Sequence, residues 1–282
     1  MTITTTAVPG KASALPTSAG QHLKATSVFR SEWIKLRSVR STWWTLAAMA
    51  VLTVGIAVIA GTTIPSRWAT MSPVDRLTFD PTSVSLRGLL FSQLVIGVLG
   101  VLVMSAEYGT GTIRSTLAAV PNRPLVLIAK TGVFAAVALV IGEILSFAAF
   151  FVGQSLLTSP ATHAMLGQPG VLRAVAGGGL VVAVLGLFAL GLATIIRHTA
   201  GAITAYVGTL LVLPIVTEAL PSSISRPIGK FLPFNVSDAM TSVHSAIGPA
   251  TSFSPWTGFA LLCSYALLAI GIGGWLMARR DA

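Results

Sequence analysis

Charged residues are scarce in this sequence of 282 amino acids, at 9% of the chain against about a quarter in an average soluble domain. Hydrophobic residues make up 54%, and the mean hydropathy is +0.84. A soluble domain of this composition would expose more apolar surface than water tolerates. The composition therefore excludes an ordinary soluble protein and predicts a chain that folds in a lipid bilayer.

Cysteine occurs once, at Cys263, which excludes an internal disulfide and a cluster of thiolate ligands. Cys263 lies within an apolar run, so we interpret it as a packing residue. Acidic residues are also few, at 8 against 18 basic ones. Because the basic residues lie between the apolar runs and not on one face, we expect the bilayer, and not nucleic acid, to be the partner.

Motifs of nucleotide binding and catalysis are missing as well. Gly10-Lys11 and Gly229-Lys230 lack the rest of a GxxxxGK[ST] loop, so we expect no ATP binding by this chain. Neither an HExxH zinc motif nor a GxSxG nucleophile elbow occurs, and the four histidines lie far apart. We therefore predict that the chain is not an enzyme and holds no metal or cofactor of its own.

Six apolar runs reach the length of about 20 residues that a helix needs to cross a bilayer. They are expected to be helical because backbone polar groups in lipid must pair within their own segment. We place them near residues 43–64, 88–106, 131–157, 174–196, 200–220 and 256–278. The predicted fold is an all-α polytopic membrane protein with six transmembrane helices.

The distribution of Lys and Arg indicates the orientation of these helices. With a cytoplasmic N-terminus, the inner segments contain twelve of the basic residues and the outer segments contain six. The bias is strongest just before the first span, so we expect both termini to be cytoplasmic. Residues 1–26 contain no apolar signal segment and are predicted to be a disordered cytoplasmic tail, which leaves 27–282 as the membrane domain.

Two loops have unusual composition. Residues 221–255 are too apolar for a free outer loop, which predicts short re-entrant or interfacial helices between spans five and six. The segment 27–40 precedes the first span and places basic residues away from an apolar stripe. That stripe, which Glu32 interrupts, contains Val28, Phe29, Trp33, Leu36 and Val39. We predict an amphipathic helix in the inner headgroup plane, either a simple anchor or also a docking surface.

The loop after span two contains two glycines and two prolines in an ordered pattern. Gly109 and Gly111 are expected to end the span, and Thr110 or Thr112 to cap a short helix that runs toward Val120. Pro121 and Pro124 are expected to end this helix. A short helix across the membrane face would be a rigid lever.

At these positions the sequence resembles the ABC-2 type permeases of high-GC Gram-positive bacteria. The resemblance rests on the run Ser31–Trp44 and on a pattern in the second loop, and it extends over residues 28–280. The second pattern consists of Glu107, Tyr108, Gly111, Thr112, Pro121, Arg123, Pro124 and Lys130.

This resemblance implies the membrane half of a type V-like exporter that moves a hydrophobic or amphipathic substrate out of the cell. A separate ABC-type ATPase would bind the ATP and Mg, and the permease would pair as a homodimer or with a related chain in the bacterial plasma membrane. An elbow helix would contain Phe29, Trp33, Lys35 and Arg37. The element that contacts the ATPase, a coupling helix, would contain Glu107, Tyr108, Thr110, Gly111, Thr112 and Arg114, with a smaller contact at Arg197.

Glu143 lies near the middle of span three, where a carboxylate usually faces the protein interior or water. It is a candidate for the transport pathway or for a proton site. An ion-coupled secondary transporter that uses Glu143 is therefore the alternative function, although the two three-span halves show no clear repeat. An intramembrane enzyme is a third class, and the missing nucleophile and metal motifs argue against it.

Overall fold

The structure is a computed structural model that describes residues 25–120, 122–243 and 253–279. Regular structure in these residues is helical, and no strand forms among them. Six of the helical segments are long and apolar enough to cross a membrane. The predicted all-α architecture with six transmembrane helices is confirmed.

The described residues form thirteen α-helices in chain order. They are α1 (Ala25–Ser38), α2 (Arg40–Arg67), α3 (Pro73–Leu77), α4 (Pro81–Leu86), α5 (Leu89–Gly109), α6 (Thr112–Ala119), α7 (Arg123–Leu156), α8 (Val171–Ile196), α9 (Thr199–Val207), α10 (Leu213–Glu218), α11 (Ser222–Gly229), α12 (Pro233–Thr241) and α13 (Pro255–Arg279). The six spans are α2, α4 with α5, α7, α8, α9 with α10, and α13.

The third span begins eight residues before the predicted position. The Asn122 side chain accepts a hydrogen bond from the backbone N–H of Leu125 and so caps the new helix. Pro124 lies in the first turn, where its missing N–H leaves no bond unmade. The expectation that Pro124 ends the preceding helix is therefore wrong, because this proline opens α7.

Helix α8 lies at the centre of the bundle and packs against α5, α7 and α13. Small residues allow the close approach of these helices. A Cβ atom on Gly100 of α5 would lie 2.5 Å from the Gly186 carbonyl oxygen, and one on Gly142 of α7 would lie 2.8 Å from that of Gly179. In lipid, such contacts supply the dispersion energy that holds helices together.

The fifth span, α9 with α10, is less buried than the second and fourth spans, against which it packs. A π-helical turn over Gly208–Val212 joins α9 to α10. Pro214 follows this turn and has no N–H to donate to the preceding turn, which accounts for the wider winding. The span packs against α5 and α8, and its opposite side exposes Val212, Ile215 and Val216.

The two ends of the bundle carry different short elements. The α6 end holds α1, α6 and the turn at residues 197–198, and the α12 end holds α3, α4, α11 and α12. The predicted short helices between spans five and six are present as α11 and α12. Helix α3, between spans one and two, was not predicted. Helix α1 starts at Ala25, inside the predicted tail. Residues 1–24, 244–252 and 280–282 lie outside the described residues, as does Pro121, which was predicted to end α6.

Candidate functional site

Four side chains at the α6 end form one ionic cluster, called here the charge quartet: Glu32 and Lys35 of α1, Glu107 of α5 and Lys130 of α7. Lys130 Nζ lies 2.6 Å from Glu32 Oε2 and 2.8 Å from Glu107 Oε1. Lys35 Nζ lies 2.7 Å from Glu32 Oε1 and 2.9 Å from the same Glu107 oxygen. Three helices that are distant in sequence therefore meet at one point.

Burial makes these ion pairs consequential. The side chains of Lys130 and Glu32 are 3% and 4% exposed, and that of Glu107 is 12% exposed. Buried charges are tolerated only when they are paired, and removing one partner typically destabilises a protein by about 3–5 kcal/mol. The quartet therefore holds α1 firmly against the ends of α5 and α7.

Lys35 is the exposed member of the quartet, with 42% of its side chain accessible. Partial burial lowers the pKa of Lys35, but hydrogen bonds to Glu32 and Glu107 and their charges raise it, so the net shift is upward from 10.5. Lys35 consequently stays charged at neutral pH. With all four groups ionised, the quartet carries no net charge.

The quartet joins the two predicted residue sets, because Lys35 belongs to the elbow set and Glu107 to the coupling set. The sequence gives one signal for a third member, since Glu32 interrupts the apolar stripe of α1 and a buried charge needs a partner. No local pattern identifies that partner, because Lys130 lies 98 residues further along the chain.

The bend between α5 and α6 is built on Gly111. This residue has φ +70°, in the left-handed region that glycine adopts without a Cβ penalty. The prediction that Thr110 or Thr112 caps α6 is wrong. The Thr110 hydroxyl donates to the Ala106 carbonyl oxygen and lies 2.9 Å from the Thr112 hydroxyl, and Gly111 occupies the cap position with no side-chain bond.

Helix α6 rests on the bundle by one side. Ile113 is 3% exposed, and Leu117 packs against the hydrophobic core. Arg114 and Ser115 are exposed on the helix. Lys35 also approaches α6, with its Nζ 3.5 Å from the Thr116 hydroxyl. The side of α6 that carries Arg114 is therefore free to meet another molecule.

Tyr108 and Arg197 form a second contact at this end. The Arg197 guanidinium carbon lies 5.2 Å from the centre of the Tyr108 ring, within cation–π range, and Arg197 Nη2 donates to the Leu276 carbonyl oxygen at 3.2 Å. Arg197 adopts φ 59° as the residue that ends α8. Its side chain therefore ties α5, α8 and α13 together inside this chain.

The remaining elbow residues divide by environment. The Phe29 ring lies 3.0 Å from the position that a Cβ on Gly132 of α7 would take, so it packs on that helix. Trp33 and Arg37 are exposed. Val39 is not part of the amphipathic helix as predicted, since its extended backbone separates α1 from α2.

Glu143 lies apart from the quartet, 13 residues or about 20 Å along α7 from Lys130. Its carboxyl group packs over Gly179 of α8, where an added Cβ would lie 2.7 Å from Oε1. The side chain is half-buried at the edge of the α7–α8 contact. A pathway role for Glu143 stays a prediction.

Comparison with protein-family models matches residues 28–218 to a family described as ABC-2 family transporter protein. This range covers about two thirds of the chain and includes every member of the quartet. No protein in the curated set matches the chain. The match identifies a membrane transport component, and by this evidence the chain belongs to the ABC-2 transporter family.

Proposed function

We propose that this chain is the membrane-spanning subunit of an ATP-binding-cassette exporter and that its α6 end faces the cytoplasm of a bacterial cell. Membership of the ABC-2 family supports the first part. The excess of basic residues in the segments assigned to that side supports the second. Both termini are then cytoplasmic, and the protein is a multi-pass component of the plasma membrane.

The observation that carries the proposal is the way in which α6 is attached to the bundle. One side of this short helix is anchored by Ile113, and the other exposes Arg114. Glu107, one turn before the bend, is bonded to Lys35 of α1 and to Lys130 of α7. A force applied to α6 by a separate ATPase would therefore reach α1, α5 and α7 together.

The same arrangement gives a route from ATP hydrolysis to transport. Movement of α6 would tilt α5 and α7 against the central helix α8. Two permease chains, identical or related, would enclose the pathway between them, lined in part by the first, second and fifth spans. Apolar pathway walls suit a hydrophobic or amphipathic substrate.

The α6 contact is tested by two matched charge reversals, Arg114→Glu in α6 and Arg226→Glu in α11. Both arginines are exposed in short helices, but they lie at opposite ends of the bundle. The chain is co-expressed with a candidate ABC-type ATPase from the same organism, and the amount of ATPase that co-purifies is measured. We expect a fall of about tenfold or more for Arg114→Glu and none for Arg226→Glu. Equal recovery in both variants would contradict the proposal.

The orientation is tested by single cysteines at Ser115 and Ser223 in a Cys263→Ser background. Both positions are exposed, Ser115 in α6 and Ser223 in α11. A membrane-impermeant maleimide should label position 223 in intact cells and position 115 only after permeabilisation. Labelling of position 115 in intact cells would place α6 outside and remove the basis for ATPase contact.

An ion-coupled transporter remains the competing proposal, because the Glu143 carboxyl group is half-buried in the middle of its span. Collapse of the proton gradient with ATP maintained distinguishes the two. Export should persist in an ATP-driven system, and Glu143→Gln should then alter it little. Export that stops on collapse and is absent in Glu143→Gln would favour the ion-coupled transporter.

A further inference from the structure

Two cavities lie beside the junction of α1 with α2. The larger, a partly open cavity of about 530 Å³ between α1, α2, α5 and α6, contains the charge quartet, whose lysines are already paired. The smaller, of about 310 Å³, is formed by segments 33–37 of α1, 42–46 of α2 and 136–141 of α7 and is called here the α1–α7 groove. Its size lies within the range of about 300–1,000 Å³ that small-molecule sites occupy. The proposed contact of α6 with an ATPase does not involve this groove.

The walls of the α1–α7 groove are apolar where they belong to the spans. Trp43 and Leu46 of α2 and Val137 and Ile141 of α7 line it. Ile141 lies 11 residues, or about 16 Å, along α7 from Lys130, so the groove reaches into the hydrocarbon region of the bilayer. An empty groove would deprive its walls of dispersion contacts. A hydrocarbon chain is therefore the kind of group that fits it.

The groove opens on an exposed apolar side of the first and third spans. Val140, which lines it, is 56% exposed. Trp33 and Trp43 line its other end and are 47% and 58% exposed, and the Trp43 indole N–H donates to the Arg37 carbonyl oxygen at 3.0 Å. Because tryptophan is enriched at the boundary between lipid and water, this end lies at the level of the head groups. A membrane phospholipid is thus the molecule that the surroundings supply.

The mouth of the groove carries an unpaired positive charge. Arg37 lines the groove and is exposed, and its guanidinium has no hydrogen-bond or ion-pair partner among the described residues. Arg30 and Arg40 are exposed nearby in sequence, whereas Glu32, the only carboxylate among residues 25–44, is buried and paired within the quartet. Basic pockets between transmembrane helices bind anionic head groups, and the fork of an arginine matches a phosphate. The mouth therefore favours an anionic lipid over a zwitterionic one, whose ammonium group these arginines would repel.

We propose that the α1–α7 groove binds one anionic phospholipid, such as phosphatidylglycerol. The phosphate accepts hydrogen bonds from the Arg37 guanidinium, and one acyl chain lies between Leu46 and Val137 and extends toward Ile141. The lipid then joins α1 to the first and third spans in the leaflet at the α6 end. Its binding needs no ATPase, so this assignment can hold or fail independently of the proposed function.

The test compares phosphatidylglycerol with phosphatidylcholine of identical acyl chains. The delipidated full-length chain in detergent is mixed with equal amounts of the two lipids, and the bound molecules of each are counted by native mass spectrometry. We expect phosphatidylglycerol to be preferred about fivefold or more, the factor that one basic residue near an anionic surface contributes. Equal retention of the two lipids would overturn the proposal.

The head-group contact is tested by Arg37→Gln with Arg30→Gln as its matched control. Both arginines are exposed on α1, about two turns apart, but only Arg37 lines the groove. Arg37→Gln should lower the preference for phosphatidylglycerol toward one, and Arg30→Gln should keep most of it. An equal fall in the two variants would indicate a diffuse basic surface and no defined site.

The acyl-chain contact is tested by Ala136→Phe with Ala48→Phe as its matched control. Both alanines are exposed within spans, but only Ala136 lines the groove. Ala136→Phe should lower retention of phosphatidylglycerol several-fold by filling the groove, and Ala48→Phe should retain as much lipid as the wild type. Unchanged retention in Ala136→Phe, with a normal unfolding temperature, would place the lipid elsewhere. Lipid bound to the monomer but absent from a dimer would mean that a second copy covers the groove.

Discussion

Both ends of this bundle have an arginine that donates to backbone carbonyl oxygens, Arg197 at the α6 end and Arg173 at the α12 end, but the α6 end adds a cluster of ion pairs. At the α6 end, charged side chains from α1, α5 and α7 pair with one another. At the α12 end, the cross-links are side-chain bonds to the backbone of short helices and loops. Arg173 of α8 donates to the carbonyl oxygens of Met240 and Ser242 at 2.7 and 2.9 Å.

Two further residues complete the network at the α12 end. Asp80 caps α4 through Oδ1 and accepts from the Val243 N–H through Oδ2 at 2.9 Å. Gln154 of α7 donates to the Pro81 carbonyl oxygen and accepts from the Ala164 N–H. The loops between successive spans are therefore tied to one another through their backbone.

This difference indicates where the bundle can move. Side-chain bonds to the backbone fix the paths of the loops and short helices there, so the α12 end resists rearrangement. At the α6 end the quartet joins α1, α5 and α7 into one unit, and the open cavity beside it leaves that unit room to shift. The α6 end is thus the end at which we expect relative motion of helices, which agrees with the proposed site of ATPase contact.

Lys130→Met, at the α6 end, is expected to have the largest effect on the free energy of unfolding. The substitution keeps an unbranched chain of similar length but leaves Glu32 Oε2, on a residue 4% exposed, without its lysine. We expect a loss of about 3–5 kcal/mol in the free energy of unfolding. Unfolding in detergent followed by tryptophan fluorescence measures it. The double variant Glu32→Gln with Lys130→Met should regain much of the loss, and no recovery would show that Lys130 acts through packing alone.

Arg173→Met tests the other end and should have a smaller effect, because it removes two hydrogen bonds from a charged donor without stranding an opposite charge. We expect about 1.5–3 kcal/mol. Limited proteolysis should show new cleavage near residues 240–243 and none near α6. Arg173→Lys, which can reach fewer acceptors, should lie between the variant and the wild type. A loss equal to that of Lys130→Met would remove the distinction between the ends.

Gly111→Ala and Gly109→Ala form a matched pair at the bend. Neither glycine has an atom within 4 Å of an added Cβ, but only Gly111 has a positive φ. Alanine at 111 should therefore destabilise the bend by about 1–2 kcal/mol, whereas alanine at 109, within a helix, should be neutral or slightly stabilising. Hydrogen exchange of α6 amides measures the effect. Equal exchange in both variants would mean that the left-handed turn is not required.

Lys35 gives the smallest effect, because its side chain is 42% exposed and solvent screens its pairs. Its pKa is raised in the folded chain above the ordinary value of 10.5. Its contribution to stability is therefore fully present below pH 10.5 and falls as the pH rises through the higher folded value. Comparing the unfolding temperatures of wild type and Lys35→Met from pH 9 to 11.5 measures it, and the difference should shrink at the alkaline end. A difference that grows with pH would contradict this.

The sequence predicted the elements well because their signals are local. Apolar length indicates the six spans, and the Gly109–Gly111 pair indicates the bend. The boundaries were less predictable, since Pro124 can end one helix or open the next. The Asn122 side chain, which caps α7, decides this case.

Local composition alone therefore determined the solvent of this protein, its six spans and the short helix α6, because apolar run length and backbone restrictions act over a few residues. Contacts between distant segments decided the rest. Glu32 meets Lys130 across 98 residues, and the cavity beside them forms only when α1, α5 and α6 come together. No local pattern encodes such a meeting, because the pairing of buried charges depends on how whole helices pack.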